Sequence, residues 1–350
     1  GRAAQAHALL SRYGGRRVRV AGRTMLMNDW AARLPDRLPS GPPKGDWRGV
    51  LGNERRNAEA EGSAPFPRAR WSVALDGATG PDPRVKVWQQ RAAEEIVEPV
   101  GVALFPVAVA GQVIVRDFDG IRGLDAETGR LLWRYDSAVS WSQIITQFEQ
   151  TFRQTPQTFN AAFVGNTTVG LLASDGQRVY AVELSRSEFG GASQPPVGPV
   201  NPFRRRGTDA DDQRSAWLQW NRLVALPIPG RTSGPEGRTG REPIEVPRVQ
   251  PVWSVGGPPG SDRPLAGHFF LNPPLAVDGE LFVITESRGQ LNLVALDPRT
   301  GGLIWSQGIA LAEASLSSFS QHLRRTSTCT PAFADGLVLC PTDLGLLVAV

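Results

Sequence analysis

Apolar residues alternate with polar or small ones in short runs, and the runs come in pairs hinged on a tight turn. V-A-V-A-G-Q-V-I-V (Val107–Val115), L-A-V-D-G-E-L-F-V (Leu275–Val283) and A-F-A-D-G-L-V-L-C (Ala332–Cys340) have this form, with a looser copy at Ala162–Leu172. Alternation at period two predicts half-buried strands, and Asp-Gly or Gly-Asn between two such runs predicts a hairpin. Further runs end alike at Val179–Val182, Leu223–Leu226, Leu293–Leu296 and Leu347–Val350 and read as third strands. Closing strands carry a tryptophan: R-W-S-V at Trp71, L-W-R-Y at Trp133, V-W-S-V at Trp253 and I-W-S-Q at Trp305. One unit is thus four antiparallel strands in about 50 residues, the period of a propeller blade; Trp253 to Trp305 is a step of 52.

A phrase before two of these tryptophans sharpens the repeat. G-L-D-A-E-T-G-R-L-L-W spans Gly123–Trp133 and A-L-D-P-R-T-G-G-L-I-W spans Ala295–Trp305. Asp125 and Asp297 can cap the free amides of a turn, and Gly129 and Gly301, after Thr128 and Thr300, can supply the positive φ that closes it. Both tryptophans are expected to be largely buried between blades.

The step from Trp133 to Trp253 is longer than one unit, and two Gly-, Pro-, Ser- and Arg-rich insertions near 185–217 and 227–250 account for it. Trp141, Ile144, Ile145, Phe148 and Phe152 fall on one face of a helix, and 85–96 and 311–323 read as similar excursions. Residues 1–45 form a partly helical segment and linker ahead of a propeller segment over 46–350. The expected fold is therefore all-β, a β-propeller of four-stranded antiparallel blades with inter-blade helical insertions. Val348-Ala349-Val350 aligns with Val294-Ala295-Leu296, which predicts a last blade without its closing strand and an open arc of about four units.

Composition changes this picture little. With 38 Gly and 29 Pro among 350 residues the chain favours turns over long helices. The net charge of +4 is scattered, only Lys44 and Lys86 are lysines, and the cluster Arg204-Arg205-Arg206 is followed by Asp209, Asp211 and Asp212. No nucleic-acid surface is expected. No apolar run is long enough to span a membrane.

The D-x-x-T-G-x-x-x-W phrase with its hairpin resembles the PQQ-like (tryptophan-docking) repeat of quinoprotein-type propellers. The wording around 268–286 and 329–342, and D-W-R-G-V-L-G-N-E-R-R-N at 46–57, is similar to large planctomycete PQQ-like propeller proteins and, more distantly, to the outer-membrane assembly lipoprotein. That resemblance implies a propeller. For function it implies either a non-catalytic scaffold for other proteins, bound through propeller faces and loops in an extracytoplasmic compartment, or a PQQ-dependent dehydrogenase.

The dehydrogenase reading needs calcium under the quinone, and a calcium ion takes six to eight oxygens. The acidic residues near blade ends, Asp117, Asp119, Asp175, Glu286 and Asp343, are isolated in sequence and read as turn caps or solvated groups. Cys329 and Cys340 are not adjacent; across the predicted hairpin their diagonal is roughly 7–8 Å, so buried free thiols are expected. His268 beside Phe269 and Phe270 reads as a packed or rim histidine. No catalytic, cofactor-binding or metal-binding residue is assigned, no cofactor is expected, and PQQ with calcium enters only under the dehydrogenase reading, with ligands beyond these residues.

Overall fold

A computed structural model describes residues 15–20, 23–31, 46–56, 58, 69–75, 83, 87, 90, 94, 105–140, 167–185, 220–230, 246–311 and 329–350. The segments expected around Trp141–Phe152, the Arg204–Arg206 cluster and most of both insertions lie outside these residues. Near the start, the chain forms a hairpin of β1 (Arg17–Val20) and β2 (Arg23–Leu26), followed by a helical turn at Met27–Ala31. Residues 1–45 were expected to be partly helical, yet Met25 and Leu26 pair with Val18 and Arg17 in a strand. The R-V-R-V alternation, which suits a strand, prevails there.

Four antiparallel sheets follow. Blade 1 is β3 (Val107–Val109), β4 (Gln112–Arg116), β5 (Gly120–Asp125) and β6 (Leu131–Asp136), hydrogen-bonded in that order. Blade 2 is β7 (Leu172–Ser174), β8 (Arg178–Leu184), β9 (Asn221–Pro227) and β10 (Trp253–Gly256). Blade 3 pairs β11 (Phe269–Phe270) and β12 (Leu275–Val277) with β13 (Glu280–Ser287), then continues to β14 (Gln290–Leu296) and β15 (Leu303–Leu311). Blade 4 presents β16 (Ala332–Ala334), β17 (Leu337–Pro341) and β18 (Leu347–Ala349).

Four hairpin turns are alike: Ala110-Gly111, Asp278-Gly279, Arg288-Gly289 and Asp335-Gly336 all have positive φ at both residues. That conformation matches the right-handed twist of the flanking strands. Two strand assignments differ from expectation. Val179–Val182 is a second strand, paired to β7 on one side and β9 on the other. The looser hairpin at Ala162–Leu172 gives way to a helical turn at Thr167–Gly170, and Asp175-Gly176 turns the chain instead.

Burial explains why the strands read as near-continuous apolar runs. Val179, Ala181, Val224 and Leu226 face blade 1, where they meet Val107, Ile114 and Trp133. Tyr180, Val182, Leu223 and Ala225 face blade 3 and meet Phe270, Leu281 and Val294. Blade 2 is thus covered on both faces, and alternation sorts its side chains between two cores. Blade 3 meets blade 4 through Leu275, Phe282, Leu293, Cys329 and Cys340. The blades follow one another in sequence order, and these seams do not close a ring. Among the described residues no helix is long and apolar enough to cross a membrane.

Two irregular segments stitch the arc. Residues 247–249 run along the outer edge of β6, with the Arg134 amide donating to the Pro247 carbonyl at 3.0 Å and the Val249 amide to the Arg134 carbonyl at 2.9 Å. This covers an edge strand that would otherwise invite pairing. A strap at 46–56 lies against the first strands of blades 1, 2 and 4.

Candidate functional site: tryptophan docks, a charged seam and a cleft

The repeated phrase builds the same turn twice. Asp125 Oδ1 accepts from the amides of Glu127 and Thr128 and from the Thr128 hydroxyl, each at 3.0 Å. Asp297 Oδ1 accepts from the amides of Arg299 (2.7 Å) and Thr300 (3.3 Å). In both turns the glycine amide, Gly129 or Gly301, donates to the aspartate carbonyl at 2.8 Å.

These glycines have φ of +72° and +71°, and a Cβ at either would stand 2.7 Å from an indole. The indole is not the phrase's own. Trp71 packs on Gly129 and donates from Nε1 to the Ala126 carbonyl (3.1 Å); Trp253 packs on Gly301 and donates to the Pro298 carbonyl (2.9 Å). Each phrase therefore receives the tryptophan of the preceding unit. Trp71 does this from outside any described strand, although a closing strand was expected there.

The phrase's own tryptophans differ. Trp133 is fully buried, whereas Trp305, expected to be buried, is half-buried and tilts against Phe282 with ring centroids 5.9 Å apart. No turn of the D-x-x-T-G kind among the described residues receives Trp305. Nor does one receive Trp133, because blade 2 has no such phrase. There Trp133 Nε1 donates to Gln112 Oε1 and Gln112 Nε2 donates to the Pro229 carbonyl, both at 2.7 Å.

The seam between blades 1 and 2 also holds a buried charged network. Glu183 accepts from Tyr135 Oη (2.9 Å), Ser137 Oγ (2.7 Å) and Arg222 Nη2 (2.9 Å) and Nε (3.3 Å). Asp117 pairs with Arg122 and accepts from the amides of Asp119 (2.8 Å) and Gly120 (2.6 Å). Arg116 Nη2 donates to the Val182 carbonyl at 3.0 Å. Burial pushes the Tyr135 phenol well above its ordinary range, with Glu183 adding to it, and burial pulls the Arg116 guanidinium down. A carboxylate has about four acceptor positions. Three of the four donors fall on Glu183 Oε2 and one on Oε1, so both oxygens are held by residues of the two blades.

This network was not predicted. Its members lie up to 106 residues apart, from Arg116 to Arg222, and only strand register unites them. Of the acidic residues read as turn caps, Asp175 accepts from the amides of Gln177 and Arg178 and from the Tyr180 hydroxyl. Asp117 caps a turn and is also buried in an ion pair, and Glu286 is buried. His268 Nδ1 lies 3.1 Å from Thr285 Oγ1, and burial lowers its pKa. Cys329 and Cys340 are free and buried, and burial pushes the Cys340 thiol up to about 11.

A cleft of about 840 Å³ opens between the strap and the turns of blades 2 and 3, lined by Arg48, Arg56, Asp175, Ala276, Asp278 and Arg299 among others. Arg56 anchors the strap, donating to the carbonyls of Pro331 (3.0 Å) and Val50 (2.8 Å); burial lowers its pKa to about 10, with Glu54 countering. Calcium under a quinone does not fit these residues. Among those described no three His, Cys, Asp or Glu side chains converge. Asp117 and Glu183 are taken up by guanidinium groups.

Residues 70–197 match the family model described as "Outer membrane protein assembly factor BamB". No curated protein matches the chain. Solved structures similar to it include the quinohemoprotein alcohol dehydrogenase from Comamonas testosteroni (14% identity, 87% of this chain and 30% of that one, TM-score 0.34). Another is the quinohemoprotein alcohol dehydrogenase ADHIIG from Pseudomonas putida HK5 (15% identity, 69% and 28%, TM-score 0.34). BamB from Moraxella catarrhalis is similar at 17% identity over 69% of this chain and 60% of that one, with a TM-score of 0.24. The chain thus spans under a third of the length of the two dehydrogenases.

Proposed function

We propose that this chain, a β-propeller protein of PQQ-like repeats, is a non-catalytic scaffold that holds other proteins in an extracytoplasmic compartment. One observation carries the reading: Glu183, the buried carboxylate between blades 1 and 2, is engaged by Tyr135, Ser137 and Arg222 in joining those blades. The large cleft, by contrast, is walled by turns and a strap rather than by a poised acid–base pair. Rigid blades with variable loops suit such a role.

The test has two arms. The chain is mixed with PQQ and calcium, desalted and scanned for quinone absorbance, then assayed for dye-linked alcohol oxidation; neither signal is expected. A photo-crosslinking side chain at Arg299, on the cleft rim, is expected to give discrete adducts with another protein in cells. Stoichiometric PQQ uptake without adducts replaces the scaffold with the quinone-dependent dehydrogenase.

A further inference from the structure

The strap touches the blades at equivalent backbone positions. Ala108 faces Val113, Ser174 faces Val179, Ala276 faces Leu281 and Phe333 faces Val338, one residue inward from the hairpin end in β3, β12 and β16 and in matching register in β7. In a two-residue hairpin the pair flanking the turn exchanges both hydrogen bonds, so the next residue inward turns its amide and carbonyl away from its partner strand. At three of the four positions the strap takes up the amide, and at Ala108 the carbonyl as well. Ala108 and Trp47 exchange both bonds (2.8 and 2.6 Å), the Ser174 amide donates to the Arg48 carbonyl (2.8 Å), and the Phe333 amide donates to the Glu54 carbonyl (2.9 Å).

Ala276 is the exception. Among the described residues its amide and carbonyl have no partner, and it is half-buried in the wall of the cleft. A half-buried strand edge with free groups is a template for one more strand. Charge narrows the choice of strand. Asp46 pairs with Arg48, Asp175 with Arg178 and Asp297 with Arg299, and Glu54 stands beside Arg56. Asp278 and Glu280, which flank the free edge and line the same cleft, have no cationic partner among the described residues.

We propose that the cleft takes an extended basic segment of a partner protein, which adds as a strand to β12 at Ala276 and sets a lysine or arginine against Asp278 and Glu280. Backbone bonds supply the docking and the two carboxylates supply the preference, the division of labour of strand addition. This deepens the scaffold reading and rests on it.

The experiment uses the full chain and three labelled octapeptides: alternating Val–Lys, alternating Val–Glu, and Val–Lys with alternate amides N-methylated. Anisotropy and amide exchange are the readouts. Val–Lys is expected to bind and to slow exchange at Ala276 by about tenfold or more, leaving Ala108 slow with or without it. Val–Glu and the N-methylated peptide are expected to bind at least about tenfold more weakly. Ala276→Pro removes only an amide that no internal bond uses, and Asp278→Asn with Glu280→Gln removes only the charges; each is expected to weaken Val–Lys by about tenfold while melting like the parent.

Equal binding of Val–Lys and Val–Glu overturns the proposal, as does binding that leaves Ala276 exchanging freely. So does an Ala276 amide already protected without peptide, which signals the chain's own segment, or a second copy if protection grows with protein concentration. If these tests fail while the Arg299 adducts persist, the scaffold reading stands and the strand-addition site falls.

Discussion

The seam between blades 2 and 3 and the seam between blades 1 and 2 solve one problem with different chemistry. At the former, Trp253 drops onto Gly301, donates to the Pro298 carbonyl and lies against Tyr180, while Asn221 binds both the amide and the carbonyl of Phe270. Packing and neutral hydrogen bonds suffice there. At the latter, the sequence of blade 2 carries no D-x-x-T-G phrase, Trp133 is held through Gln112, and Glu183 ties Tyr135 and Ser137 of blade 1 to Arg222 of blade 2. Where the repeat phrase is lost, a buried polar network assumes its mechanical role. Such a network is costly to leave half-satisfied, so its members stand or fall together.

The largest effect is expected at the apolar dock. Trp253→Ala leaves a void beside Gly301 and Tyr180 and is expected to cost about 4 kcal/mol in denaturant unfolding. Glu183→Gln comes next, at about 3 kcal/mol, since it leaves Arg222 buried without its counter-charge. Coupling separates the seams. A double mutant of Glu183→Gln with Tyr135→Phe is expected to cost clearly less than the sum of the singles, whereas Glu183→Gln with Trp253→Ala is expected to be additive. Additivity in both pairs breaks the comparison.

A smaller contrast lies within the docks. Gly301→Ala forces a Cβ both into a positive-φ backbone and against Trp253, with an expected cost of about 2 kcal/mol. Gly129→Ala meets Trp71, which is half-buried and sits on no described sheet, so its indole can yield and the cost is expected to be lower. Thermal midpoints of the two variants rank them; a more damaging Gly129→Ala reverses the argument.

What was legible in the chain was the chemistry that acts locally. Asp125 and Gly129 shape their turn within five residues, and Asp278-Gly279 shapes its hairpin within two, so period and turn residues together give the blades. Strand order is another matter. Val179–Val182 reads as the same apolar run whether second or third in its sheet, and only its pairing with Leu172–Ser174 decides between them. The Asp175-Gly176 turn was a usable signal that the neighbouring Gly-Asn outweighed. The charged seam was illegible for a related reason: Arg116, Glu183 and Arg222 are ordinary polar residues on separate strands until register places them side by side. The strap's bonds to Ala108, Ser174 and Phe333 likewise run through backbone atoms, which no side-chain pattern records.

The smallest expected effect concerns pH and again separates the two regions. His268, at the start of blade 3, is held below its ordinary pKa of 6.5 by burial, and its Nδ1 faces Thr285 rather than a carboxylate. In the unfolded chain the ring gains a proton as the pH falls through about 6.5, while the folded chain resists until the pH reaches its own lower pKa. Between those two values the unfolded state binds more protons, so stability falls on acidification and the loss levels off below the folded pKa. Denaturant midpoints at about pH 7.5 and about pH 5.5 are expected to show a decline that is shallower in His268→Gln. The same decline is expected to survive in Glu183→Gln, because that substitution acts on the other seam and leaves the ring's surroundings intact. If His268→Gln declines as steeply as the parent, the ring is not the source of the slope; if Glu183→Gln flattens it, the seams are coupled and cannot be treated as separate solutions.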